Sequence, residues 1–248
     1  MCSEKDTFRD LPHLNLTMSI SDKIKKNNLD IKSVSGSDHV IGIHKRLFYY
    51  LVRIPVSLFF MIFYRSRFFG GNNMPYECGL IVAANHQSYY DPVLIAAGLR
   101  RRLNFLAKKQ LFKFKPLGWL IDFLDAIPLD IDGIGYEGIK ISIRRLRNNE
   151  AVLIFPEGAR TWDGEIGEFK KGSLALAKQT KAAILPTAID GCYQSWPRTN
   201  ILPYPLGKVR VIFGQPLFYD DFKNLSEEEL RELVKTKINE LFQKIRFD

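Results

Sequence analysis

His86 and Asp91 stand five residues apart in the run Asn85-His86-Gln87-Ser88-Tyr89-Tyr90-Asp91-Pro92. Histidine titrates near neutral pH, and a carboxylate beside it fixes its tautomer and stabilises its protonated form. Together the two can draw a proton from a hydroxyl. The spacing is not helical, because residues five apart do not share a helix face. The loop must therefore fold back for the side chains to meet. The apolar run Gly79–Ala84 reads as a buried strand, and Asp91-Pro92 reads as a helix start, with Asp at the N-cap and Pro at the first helical position. His86 then falls where a strand hands over to a helix, and ligands of open α/β sheets gather at the carboxyl ends of strands.

A second polar cluster follows a second buried strand. Ala151-Val152-Leu153-Ile154-Phe155 runs directly into Pro156-Glu157-Gly158-Ala159-Arg160-Thr161, which belongs on the same rim as His86. Gly158 permits close backbone approach to a ligand, and Arg160 offers a planar fork suited to a phosphate. Glu157 either orients Arg160 or accepts from a substrate hydroxyl. Taken alone, the cluster reads equally well as a surface turn with an ion pair. Lys170, Lys171 and Gly172 add phosphate contacts or form a solvated helix start.

The elements that must position these loops alternate along the chain. Strands are expected at 79–84, 103–107, 126–129, 151–155, 182–185 and 209–213. Helices are expected at about 92–100, in parts of 109–124, at 136–148, at 172–180, and from a capping box of Ser226 and Glu229 to about 245. That alternation implies an α/β domain over 71–248, built on a mostly parallel sheet flanked by helices. Residues 1–39 are polar and charged and are expected to form a mobile leader.

Charge and hydropathy place the intervening stretch, 40–70. Two regions free of acids, 39–76 and 92–121, hold twelve cations, more than the net charge of +9. The first encloses the apolar run Leu47–Phe63, at the short edge of the roughly 17–25 residues that cross a bilayer, with Arg53 and Pro55 inside it. A central arginine costs about 2.5–3.5 kcal/mol on insertion. The favoured reading is one helix, or two broken at Pro55, embedded in one leaflet with flanking cations at the headgroups. A buried core helix and a single spanning helix are the alternatives. The three cysteines, Cys2, Cys78 and Cys192, show neither a disulfide framework nor metal-ligand spacing, which fits a reducing compartment.

Jointly, Asn85-His86-x4-Asp91 and Phe155-Pro156-Glu157-Gly158-Ala159-Arg160 resemble the glycerolipid acyltransferases typified by 1-acylglycerol-3-phosphate acyltransferases. The run Ala107-Lys108-Lys109-Gln110-Leu111-Phe112 with Pro116 and Gly118 is similar to a further block of that family, as is Ile184-Leu185-Pro186. The resemblance implies an O-acyltransferase with His86 and Asp91 as catalytic residues and Asn85, Ser88, Lys108, Glu157, Gly158 and Arg160 as substrate-binding residues. It implies acyl-CoA or acyl-carrier protein as donor substrate, a lysophospholipid acceptor giving phosphatidate, and work on membrane lipid at the cytoplasmic face. No metal, bound cofactor or nucleic acid enters. Ile131 departs from the pattern, since the family usually has there an arginine thought to contact the acceptor phosphate. Lys108, Arg160 or Lys171 can compensate, or the acceptor differs.

Three other readings stand beside this one. Ser88 as a hydrolase nucleophile lacks a Gly-x-Ser-x-Gly setting. A catalytically idle lipid-binding protein has no reason to keep both His86 and Asp91. Arg100-Arg101-Arg102 among Phe105, Phe112 and Phe114 suits a nucleic-acid strand, but beside residues 47–63 it better suits anionic lipid or a CoA phosphate.

Overall fold

Strand β2, Leu80–Ala84, is buried along its whole length and lies at the centre of a seven-stranded sheet. Five apolar residues in a row, β-branched at Ile81 and Val82, suit a strand covered on both faces. The computed structural model describes residues 43–108, 127–129, 136–200 and 202–246. The expected leader, the stretch 109–126 and Ile131 lie outside them.

The remaining strands are β1, Arg67–Phe69; β3, Leu103–Lys108; β4, Ile127–Leu129; β5, Ala151–Ile154; β6, Ala183–Asp190; and β7, Arg210–Phe213. Their order is β1-β7-β6-β2-β5-β3-β4. Every pairing is parallel except β6 with β7. The helices are α1, Ile43–Phe63; α2, Asp91–Gly98; α3, Tyr136–Arg147; α4, Ala175–Thr180; α5, Cys192–Ser195; α6, Tyr219–Phe222; and α7, Glu227–Arg246.

Alternation along β2 divides the core into two layers. Leu80, Val82 and Ala84 pack with Leu94 and Ile95 of α2 and Phe60 of α1. Ile81 and Ala83 face the opposite layer, with Leu230, Val234 and Ile238 of α7. This is the expected α/β architecture, a mostly parallel sheet flanked by helices.

Two strands differ from expectation. β1 was hidden in the stretch assigned to the apolar segment. It is three residues long, sits at the sheet edge and pairs Arg67 to Arg210 through Phe69 to Ile212. β6 runs five residues past Leu185, because beyond Pro186 its backbone turns to an antiparallel partner, pairing Thr187 with Phe213 and Asp190 with Arg210.

α1 is one helix, continuous through Pro55. Arg53 does not face outward as a lone charge. Its Nε and Nη2 donate to the Ala97 carbonyl at 3.1 and 2.9 Å, satisfying an acceptor at the negative end of α2. Phe60 and Tyr64 are buried against α2, while Leu51, Ile54, Leu58, Phe59, Met61, Ile62 and Phe63 are exposed. No described helix is long and apolar enough to cross a membrane.

Candidate active site

The loop from β2 to α2 folds back around the Asp91 carboxylate. Oδ2 accepts the backbone N–H of Gln87 at 2.6 Å and of Ser88 at 2.8 Å, and it meets His86 Nδ1 at 2.8 Å. One oxygen thus closes the five-residue gap. Asp91 is fully buried, whereas the His86 side chain keeps 18% exposure. Asp91 occupies the first residue of α2 and not its N-cap, which is Tyr90. Its carboxylate is turned back into the loop, so it cannot cap its own helix.

An acceptor already taking two N–H bonds sets the imidazole proton on Nδ1. Nε2 is left as the basic nitrogen. The ring's other support was not foreseen. Phe155 stacks on His86 with centroids 3.9 Å apart and planes 12° from parallel. Phe155 is the residue that follows β5, so two neighbouring strands, β2 and β5, deliver the imidazole and its platform to one rim.

The residues expected to bind substrate divide by what they touch. Asn85 is buried and holds both backbone groups of Ile189, donating to its carbonyl at 2.9 Å and accepting its N–H at 2.8 Å. Ser88 is buried; its N–H goes to Asp91, and its Oγ accepts the Tyr90 N–H at 3.3 Å. Glu157 is buried with both oxygens engaged: Oε1 accepts the N–H of His86 at 2.8 Å and Oε2 that of Gly167 at 3.1 Å. Its carboxyl is pushed upward from the ordinary range, by burial first, against the lowering effect of those two N–H bonds. All three tie loops together.

Gln87 was overlooked. Its Nε2 donates to the Gly164 carbonyl at 2.9 Å, and its Oε1 accepts the N–H groups of Cys192 and Tyr193, each at 3.2 Å. Its amide carries no catalytic signature in the sequence, and only its burial and bonds reveal a brace.

Gly158, Arg160 and Lys170 face outward from this framework. Gly158 adopts the left-handed region with φ of 71°, where a side chain is strained. A Cβ there would lie 2.8 Å from Lys170 Cδ and 2.9 Å from its Nζ, so the lysine lies across the glycine. The Gly158 N–H is bonded to the Phe155 carbonyl at 3.0 Å, so it is not a spare donor for an oxyanion. Arg160 sits 3.6 Å over the Tyr89 ring. Its Nη1 is buried and has no hydrogen-bond partner among the described residues. Burial, and then the nearby Arg198, lower the Arg160 pKa. Lys108 ends β3 opposite Leu129, and only its backbone position is described.

The arrangement can take a proton from a hydroxyl at His86 Nε2 and offer cations to an anion a short way off. Arg101, expected at a basic surface, instead donates to the carbonyls of Pro75, Cys78 and Asn149. It pins loops at the opposite ends of the strands.

The chain is also similar to known proteins. The family model described as Acyltransferase matches residues 65–190. A 1-acyl-sn-glycerol-3-phosphate acyltransferase of Bacillus subtilis is 32% identical over 178 residues, 70% of this chain and 86% of that protein. One of Streptococcus pneumoniae is 29% identical over 204 residues, 81% of this chain and 74% of that protein. Among solved structures, the 1-acyl-sn-glycerophosphate (LPA) acyltransferase PlsC of Thermotoga maritima superposes with a TM-score of 0.70 at 28% identity, covering 82% of this chain and 83% of that one.

Proposed function

The chain belongs to the acyltransferase family, and we propose that it moves a fatty acyl group from acyl-CoA or acyl-carrier protein to the free hydroxyl of 1-acylglycerol-3-phosphate, giving phosphatidate. The observation that carries this reading is the 2.8 Å contact of His86 Nδ1 with a fully buried Asp91. It makes a base whose proton-accepting nitrogen points away from its orienting carboxylate.

In the reaction, the acceptor hydroxyl gives its proton to Nε2 as its oxygen attacks the thioester carbonyl. Asp91 stabilises the imidazolium that forms. The tetrahedral intermediate collapses, the carbon–sulfur bond breaks, and the departing thiolate takes the proton from His86. No acyl-enzyme is formed, and the steps draw on the protein's own groups alone.

The acceptor assignment has two supports. The relatives from Bacillus subtilis and Streptococcus pneumoniae are named for 1-acylglycerol-3-phosphate. The loop after β5 also carries a buried Arg160 guanidinium nitrogen with no hydrogen-bond partner among the described residues, and a lysine, Lys170, that lies across Gly158. A phosphate monoester suits that pair, with the arginine giving directional bonds and the lysine a point charge. The two cations stand in for the arginine that Ile131 replaces.

Membrane association is supported by α1, whose one side is packed into the fold while its other side is apolar and exposed. A helix of this kind lies in a leaflet without crossing it. The acceptor lies in that leaflet, on the cytoplasmic face, where the acyl donors are.

An acceptor screen tests the substrate. With purified protein in detergent and a labelled acyl thioester, the expected order is 1-acylglycerol-3-phosphate well above lysolipids with capped phosphates and above glycerol-3-phosphate. A preference for a capped lysophospholipid would replace the acceptor while leaving the chemistry in place.

A further inference from the structure

The connection between β6 and β7 carries Leu202-Pro203-Tyr204-Pro205-Leu206, and it is fastened to the end of α1. The Tyr64 hydroxyl donates to the Tyr204 carbonyl at 2.7 Å. The Gly207 N–H bonds the Phe63 carbonyl at 3.3 Å, and the Val209 N–H bonds that of Tyr64 at 3.0 Å. Gly207 has no room for a side chain, since a Cβ there would meet Ser195 Oγ at 2.5 Å and the Tyr64 ring at 3.1 Å. The loop is pressed on the helix, yet its side chains face solvent. Leu202 is 75% and Leu206 69% exposed, and Ile62 near the end of α1 is 68% exposed. Single exposed leucines need no explanation. Leucines on a loop hydrogen-bonded to the end of α1, where Phe59, Ile62 and Phe63 are exposed as well, bring apolar side chains from two distant parts of the chain to one region.

Three further features say what covers that surface. The exposed cations Arg65, Arg67 and Lys208 adjoin it, and neither 59–69 nor 202–208 contains an acid. Pro203 and Pro205 have no N–H, while the N–H groups of Tyr204 and Gly207 are bonded to Ser195 and Phe63. Few backbone donors are therefore left to lose water when the loop enters an apolar medium. Aromatic rings and cations around an apolar tip match the boundary of a bilayer with anionic headgroups.

We propose that Leu202–Leu206 is a second bilayer-inserting element, entering the same leaflet as α1 with Arg65, Arg67 and Lys208 at the lipid phosphates. The inference rests on the membrane-associated reading above. It also gives the His86 loop a fixed attitude to the lipid. The Tyr204 N–H is bonded to the Ser195 carbonyl at 2.9 Å, and the adjoining Trp196 packs on Tyr89 and Tyr90 with ring centroids 5.2 and 4.9 Å away. Tyr90 directly precedes Asp91. Two points of attachment, helix and loop, hold the mouth of the site against the leaflet that supplies the acceptor.

Flotation of the full-length protein with phosphatidylcholine–phosphatidylglycerol vesicles tests the proposal, comparing wild type with Leu202→Ser/Leu206→Ser. The wild type floats, and the double variant's apparent affinity falls roughly tenfold, since binding scales with the apolar area inserted. Its activity on acceptor in detergent micelles stays at the wild-type level. In parallel, Leu206→Trp adds emission that shifts to the blue on these vesicles and is quenched by brominated acyl chains. Equal flotation of the double variant, or an unshifted Leu206→Trp signal on protein that floats, overturns the loop's role while membrane association stands. A wild type that does not float removes the membrane-associated reading itself.

Discussion

Glu157 accepts the backbone N–H of His86 at 2.8 Å, so the carboxylate of the loop after β5 holds the histidine of the loop after β2. Its second oxygen reaches Gly167 at 3.1 Å. The Thr161 N–H completes the frame by donating to the His86 carbonyl at 2.8 Å. Both main-chain groups of His86 are thus fixed by the motif that follows β5. The two motifs act as one site because each is part of the other's scaffold.

Glu157→Ala strands the N–H of His86 at a cost of about 1–3 kcal/mol for a buried donor, and releases that of the exposed Gly167 to water. The variant is expected to lose several degrees of thermal stability together with most of its turnover. Glu157→Gln keeps one acceptor but presents an amide N–H₂ where a donor already sits, so it should rescue little. Thermal melts and kcat on the same samples check this. Unchanged kcat in Glu157→Ala would remove the bracing role.

Arg160 and Lys170 should separate in their effects on the acceptor. Arg160→Ala deletes the guanidinium stacked on Tyr89 and, at about 1.5–3 kcal/mol for a hydrogen bond to a charged group, should lower kcat/KM by about 10–100-fold. Most of the loss should lie in the KM for the acceptor. Arg160→Lys restores charge without the fork and should recover part of it. Lys170→Ala, a point charge at the exposed side of Gly158, should cost less. Steady-state kinetics with varied acceptor gives the split, and a change confined to the acyl donor's KM would move the phosphate site elsewhere.

Arg53 should matter for stability and not for lipid contact. Its guanidinium closes the end of α2 at Ala97. Arg53→Met keeps the apolar body of the side chain but leaves that carbonyl bare, with an expected loss of about 1–3 kcal/mol. Denaturant unfolding measures the loss, and vesicle binding of the folded fraction should hold. Wild-type stability in Arg53→Met would mean that the contact contributes nothing.

Cys192 gives the fold an alkaline weakness. Burial, and then the neighbouring charge of Asp91, push its thiol well above the ordinary range. The unfolded thiol ionises near pH 8.5, while the buried one stays neutral. The unfolded chain therefore binds fewer protons above that pH, and stability falls as pH rises. Urea midpoints from pH 7 to 10 should drop more steeply in the wild type than in Cys192→Ala. In the native protein at pH 8 an alkylating reagent should spare Cys192 and reach it after denaturation. Native labelling of Cys192 would contradict the burial argument.

Much of the site was legible because its chemistry sits at strand ends that announce themselves. The runs 79–84 and 151–155 are continuous and apolar, and polar residues follow both at once. What sequence could not provide was direction. Asn85, Ser88 and Glu157 have the right chemistry to bind substrate, but their polar groups point into the protein, where backbone groups require partners. Gln87 and Phe155 were passed over because an amide and a phenyl ring carry no catalytic signature. β1 was missed because Arg67-Phe68-Phe69 continues an aromatic, basic stretch, and only its neighbour β7 makes it a strand. Arg53 looked costly in an apolar helix, and its partner, Ala97, lies 44 residues away.

Acyl transfer by His86→Ala tests the central claim most directly. The side chain is partly exposed and its removal leaves the backbone bonds to Glu157 and Thr161 intact, so the variant should fold and melt close to the wild type. With acyl thioester and 1-acylglycerol-3-phosphate supplied in detergent, the account predicts a fall in kcat of about 10²–10⁴-fold, the usual worth of a general base. Wild-type turnover by a folded His86→Ala protein would contradict it.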